Sequence, residues 1–152
     1  MPYDVFGWVE YSWEIPEERD RSSSWEAVLS LAPFGLIGDE ISRFLFGLAK
    51  DLNRVAPFYA LGAPADASDI VRAAVEENER FIRKHGEGAY GHTWASWGDI
   101  QLALARRDAP ELDRDEVGGW PAVIDAVRLL GLRLPFCRLP ASQLRLVVWG
   151  VW

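Results

Sequence analysis

Tyr3-Asp4-Val5-Phe6-Gly7-Trp8-Val9-Glu10-Tyr11-Ser12-Trp13-Glu14-Ile15 opens the chain with side chains that alternate in character. Tyr3, Val5, Val9, Tyr11 and Trp13 share one face with Gly7, while Asp4, Phe6, Trp8, Glu10, Ser12 and Glu14 share the other. Period-two alternation among aromatic and β-branched residues predicts a strand, and Pro16 ends it. At the far end, residues 143–152 are apolar on both faces: Leu144, Leu146 and Val148 on one, Val147, Trp149 and Val151 on the other. A strand covered on both sides is central in its sheet. The two terminal strands are therefore expected side by side in the middle of one small sheet, in a single globular domain spanning residues 1–152. Helices should pack on at least one face of it, an α+β layout.

Between these ends the spacing predicts about five helices. Ser23 and Glu26 have the spacing of a capping box, which starts a short helix over 25–31 before Pro33. Gly38 and Asp39 open a second, running to about Leu52 with Ile41, Phe44, Leu45 and Leu48 on one side. Pro57, Gly62 and Pro64 mark a loop, after which Asp66 and Asp69 repeat the capping spacing. The helix they start carries the stripe Ile70, Val71, Ala74, Val75, Phe81 and Ile82, and it ends on Arg83, Lys84, His85 and Gly86. Glycines 86, 88 and 91 then read as a turn, and they lack the strand-first context of a phosphate-cradling loop. Ser96 and Asp99 cap a helix over 97–107; Trp120-Pro121 begin another that Gly131 terminates. There is no internal repeat.

A chain of 152 residues buries roughly 68–70% of its unfolded surface, so a core forms without staples. Eight Trp, seven Phe and four Tyr suit both a core and a contact surface, since aromatics are enriched where partners meet. The net charge of −7 repels phosphate backbones and argues against nucleic-acid binding. Cys137 is the single cysteine, flanked by Phe136 and Arg138, which rules out an intrachain disulfide and a cysteine-based zinc site and suits a packed side chain. Met1-Pro2-Tyr3-Asp4 has no basic region, and no apolar run reaches a membrane span, so a cytoplasmic protein with no membrane partner is expected.

Histidine is scarce. His85 reads as a partner of a helix dipole. His92 stands in Tyr90-Gly91-His92-Thr93-Trp94-Ala95-Ser96-Trp97, read as a glycine-flanked loop in which the imidazole either hydrogen-bonds the loop to a neighbouring backbone group, the favoured reading, or faces solvent beside aromatic walls. Two histidines cannot supply a three-His zinc set, and HExxH is missing. Asp4 and Glu10 share a strand face but lie six residues apart, roughly 20 Å at about 3.3 Å per residue, so one of them joins His92 at most. No Gly-x-Ser-x-Gly elbow occurs. No cofactor is implied.

The order Tyr3-Asp4-Val5 with Glu10, Arg43 to Ala49, Gly62-Ala63-Pro64 with Asp66 and Ser68, Gly91-His92-Thr93-Trp94 with Trp97, and Leu144 to Trp149 resembles a group of uncharacterised phage and bacterial proteins. Those open with a Cys-Asp-Ile-His strand and continue through Asn-Tyr-x-x-Phe, Gly-Leu-Pro-x-Asp-x-Ser and His-Ser-x-Ser-Trp segments. Phe6 stands where they carry a histidine, and Leu61 where an arginine precedes the Gly-Leu-Pro turn. The resemblance implies no activity, but it singles out Asp4, Asp66 and His92.

The sequence thus leaves readings open. The leading one is a non-catalytic interaction protein of phage-related inhibitor or antagonist type, with a protein partner. Against it stand a small metal-dependent enzyme or ligand-binding module using His92 with a carboxylate, and a self-associating homodimer. Asp4, Glu10, Asp66, His92, Trp94 and Trp97 are the candidate binding residues, with no catalytic residue assigned.

Overall fold

Four strands form one antiparallel sheet: β1 (Asp4–Ser12), β2 (Trp25–Ser30), β3 (Ala89–Ser96) and β4 (Leu144–Val151), in the spatial order β2-β1-β4-β3. The computed structural model describes residues 4–12, 25–113, 118–133 and 141–151. β1 and β4 are the middle pair, in unbroken register from Asp4↔Val151 to Tyr11↔Leu144. The two terminal strands are thus central neighbours, as their patterning predicts. Helices α1 (Glu40–Phe46), α2 (Asp69–His85), α3 (Trp97–Leu104) and α4 (Gly119–Arg133) complete the α+β fold.

The alternation of β1 and β4 decides which helix covers which face. Val5, Val9 and Tyr11 join Leu144, Leu146 and Val148 in the larger core, with Leu45 and Phe46 of α1, Ile100 of α3, and Val123 and Val127 of α4. Inside that core the Trp120 indole N–H donates to the Ser42 hydroxyl at 2.7 Å, and that hydroxyl donates to the Ile37 carbonyl at 2.7 Å. The relay satisfies polar groups that burial would otherwise penalise. The other face is thinner. Ala67, Val71 and Val147 are its buried members, with Trp8, Ala27, Val75 and Trp94 packed half-buried around them. Val71 and Val75 place α2 on this side, and Val71 is the one fully buried residue of its 17.

Local signals fix most helix ends. The Asp39 carboxylate accepts from the Ser42 N–H and caps α1, which stops at Gly47 (φ 72°) rather than near Leu52. Ser68, not Asp66 or Asp69, caps α2 by accepting from the Val71 N–H. Gly86 (φ 76°) closes that helix where the sequence predicts. Ser96 caps α3 through the Asp99 N–H, and α3 ends at Leu104 rather than 107. α4 runs through Gly131 to Arg133: a helical glycine costs only about 1 kcal/mol, less than the packing of Val123 and Val127 returns.

Two expectations are corrected. Residues 25–30 are a strand, so the described helices number four and not five. Six residues are too few for a self-supporting helix, whereas pairing with β1 satisfies the outer backbone groups of that central strand. Residues 89–96 are also a strand, and His92 sits on it rather than in a loop. Gly91 (φ 66°) occupies a register irregularity between Tyr90 and Thr93, a bulge that explains why glycine stands within a strand. The predictions for Tyr3, Trp13 to Ser24, Cys137 and Trp152 lie outside the described residues.

Candidate functional site

Arg145 of β4 is the one charged residue in Leu144–Val151, and the register places it opposite Glu10 of β1 and Ser96 of β3. By strand alternation it shares the α2 face with Val147. There it is almost wholly removed from water, at 2% exposure. Burying a guanidinium is costly unless its donors find acceptors, and all three nitrogens do. Nε donates to Glu10 Oε2 at 2.6 Å, one terminal nitrogen to Asp66 Oδ1 at 2.7 Å, and the other to the Asp66 carbonyl at 3.2 Å.

The acceptors are themselves held. Glu10 Oε1 accepts from the Ser68 N–H at 2.8 Å, and Asp66 Oδ2 accepts from the Trp25 indole N–H at 2.9 Å. Trp25 covers the guanidinium with its ring centroid 3.8 Å from the central carbon, and the Trp94 ring lies 5.5 Å from it. Rings at such distances attract a cation through their electron-rich faces. Burial pushes the Asp66 carboxyl up, but the hydrogen bond and charge of Arg145, with the Trp25 hydrogen bond, outweigh it and hold the pKa below 3.8. The cluster therefore ties β1, β2, β3 and β4 to the segment that starts α2.

Of the residues singled out from sequence, Glu10, Asp66 and Trp94 meet here. The others do not. Asp4 is exposed at the start of β1, where it bridges Ile37. Trp97 is buried in the larger core as the first residue of α3. His92 lies on β3, its Nε2 3.0 Å from the Asn78 side-chain nitrogen of α2 and its ring 5.5 Å from that of Trp149. Burial lowers the His92 pKa below 6.5, opposed by the charge of Glu79. Asp4, Asp66 and His92 thus find three separate sets of partners. Among the described residues, no three His, Cys, Asp or Glu side chains gather in a metal-binding arrangement.

Neither a family model, nor a curated protein, nor a solved structure matches the chain. The site is read from its own geometry.

Arg145, Trp25 and Ser68 are the members that sequence reasoning misses. One signal for Arg145 was present: a lone cation at a period-two position within an apolar strand must be paired. Next to the cluster, Trp25, Glu26 and Ala27 of β2 face Ser68, Asp69 and Ile70 across a cleft of about 410 Å³. No helix among the described residues is long and apolar enough to cross a membrane.

Proposed function

We propose that the chain is a non-catalytic interaction protein with a protein partner. The observation that carries this reading is that Arg145, Glu10 and Asp66 satisfy one another, while large apolar side chains face water. Val55 is 90% exposed and Leu102 72%. A guanidinium enclosed by two tryptophans and two acidic side chains is suited to clamping elements together, not to meeting a substrate. The phage-related inhibitor or antagonist type rests on the sequence resemblance. A cytoplasmic setting is supported by the single cysteine and a partner other than nucleic acid by the net charge of −7.

The metal or ligand reading has less support, because an Asn78 amide rather than a carboxylate faces His92 Nε2. Mass measurement by light scattering, on the tagged chain alone and after incubation with proteins of the producing cell, tests the proposal. A defined complex of fixed stoichiometry supports it, and a homodimer identifies a second copy as the partner. A chain that stays monomeric in every mixture overturns it.

A further inference from the structure

Among the described residues Val55 is the most exposed large apolar side chain, at 90%, yet its loop is closely held. The Asn53 backbone N–H donates to the Gly47 carbonyl at 3.2 Å, and the Asn53 side-chain nitrogen donates to the Arg43 carbonyl at 3.3 Å. Its side-chain oxygen accepts from the Val55 N–H at 3.3 Å, and the Phe58 N–H closes the loop on the Leu45 carbonyl at 3.1 Å. Val55 is thus held outward, with Leu52 37% exposed three residues before it. An anchor fixed in advance loses little freedom when it docks. Lys50 and Arg54 flank it, both exposed and neither in an ion pair among the described residues, whereas Asp51 lies 3.5 Å from Arg43. In a chain of net charge −7, this tip is apolar and cationic.

The opposite character lies next to it. Leu104, at the end of α3, and Leu112 line a cleft of about 430 Å³ together with Glu111. That volume admits side chains rather than a few waters, each of which takes about 30 Å³. Leu112 continues into a second cleft with Ile124 and Asp125 of α4. Among the described residues lining these two clefts, Glu111 and Asp125 carry the only charges; both are exposed and neither has an ion-pair partner. A third cleft joins tip to groove, because Asn53, Asp108 and Pro110 line it together and Pro110 also borders the first. A cationic apolar projection and an acidic apolar recess therefore stand side by side, on the side of the sheet covered by α1, α3 and α4.

We infer that residues 50–55 of one chain dock in the acidic groove of a second copy, which returns the contact, so that the chain forms a two-fold symmetric dimer. In such an interface the same patch serves both partners, so one surface must carry both halves of the match. Lys50 and Arg54 of each chain meet Glu111 and Asp125 of the other, while Leu52 and Val55 fill the recess that Leu104 and Leu112 line. Two chains of net negative charge repel one another, and the crossed charges oppose that repulsion where the chains touch. This deepens the interaction reading, on which it rests, by naming a second copy as the partner.

Sedimentation equilibrium of the untagged full chain, from micromolar to millimolar concentration, tests the inference. The parent should pass reversibly from monomer to dimer. Lys50→Glu with Arg54→Glu, and separately Glu111→Lys with Asp125→Lys, should each weaken the dimer roughly tenfold or more, since every exposed pair occurs twice. Val55→Asp should weaken it on the same scale, while Ile70→Ser, on α2 across the sheet, leaves it unchanged. An equimolar mixture of the two charge-reversed chains should recover a dimer containing one of each. The Glu111→Lys, Asp125→Lys chain is less negative than the parent, so its weaker pairing separates the local contact from repulsion between acidic chains. A parent that stays monomeric at millimolar concentration, charge-reversed chains that pair as well as the parent, a mixture that recovers nothing, open-ended oligomers, or equal loss from Ile70→Ser each overturn the docking surface. If light scattering still shows a defined complex with another protein in that event, the interaction reading stands and only the second copy is excluded as the partner. If no complex forms in any mixture, both fall.

Discussion

Arg145 and Glu10 are 135 residues apart in the chain and 2.6 Å apart in the fold. Both are nearly inaccessible, with side-chain exposures of 2% and 0%. Removing one partner from a buried ion pair costs about 3–5 kcal/mol, because the other is left charged without compensation. Arg145→Met should therefore destabilise the protein on that scale in urea unfolding followed by tryptophan fluorescence. Glu10→Gln keeps an acceptor for the Ser68 N–H but weakens the pair. Combined, the two substitutions should cost less than their sum by roughly 1–3 kcal/mol. Strict additivity would show that the two groups do not depend on each other.

Asp66 gives the same cluster a dependence on acid. Its pKa is depressed in the folded protein, so its contribution is fully present above about 3.8, the unfolded value, and is lost as pH falls through the folded one. The difference in stability between the parent and Asp66→Asn should be constant above pH 5 and shrink steadily below pH 4. Since the Asp66 side chain is 45% exposed, the difference will be modest. A gap that stays constant down to pH 2.5 would exclude Asp66 as the source.

His92 acts in a higher window with the same sign. Burial favours its neutral ring, in which Nε2 accepts from the Asn78 amide of α2. A group whose folded pKa lies below its unfolded value of about 6.5 stabilises the fold above that pH and loses its contribution as pH falls through the folded value. Between pH 7 and pH 5 the parent should lose stability relative to His92→Gln, and amide exchange in α2 should quicken around Asn78. A His92 ring whose carbon-bound proton resonances titrate at 6.5 or above would contradict this account.

The terminal strands were legible because period two assigns every side chain to a face, and the faces of β1 and β4 sort into the two cores as their alternation requires. Trp25–Ser30 was not, since six residues bearing a capping spacing satisfy helix and strand patterns equally, and only the unpaired margin of β1 decides between them. Gly91 concealed β3 because a bulge and a turn demand the same backbone freedom. Glu10, Asp66 and Trp94 were recognisable as polar or aromatic residues of interest. Their meeting point was not, because it depends on the register that sets Arg145 against Glu10. His92 reads as a loop residue and Asp66 as a helix cap, yet one is fixed by a strand and the other by a guanidinium.

Gly7 is a steric keystone of the register of β1 on β4, and it yields a sharp test of the fold. A Cβ placed on Gly7 would stand 2.0 Å from the Val147 carbonyl oxygen and 2.9 Å from the Val148 Cα, both backbone atoms of the neighbouring strand. No rotamer relieves that overlap; the strands must part. Gly7→Ala should therefore cost about 3 kcal/mol or more, the upper end for overpacking. It should also raise amide exchange on both sides of the β1–β4 ladder, in Phe6 and Trp8 as well as Val147 and Trp149. Gly62→Ala is the control, because a Cβ there meets nothing within 4 Å, and only its left-handed backbone (φ 83°) resists the change. If Gly7→Ala proves as mild as Gly62→Ala, the two central strands do not lie in this register, and the pairing that brings Arg145 to Glu10 falls with it.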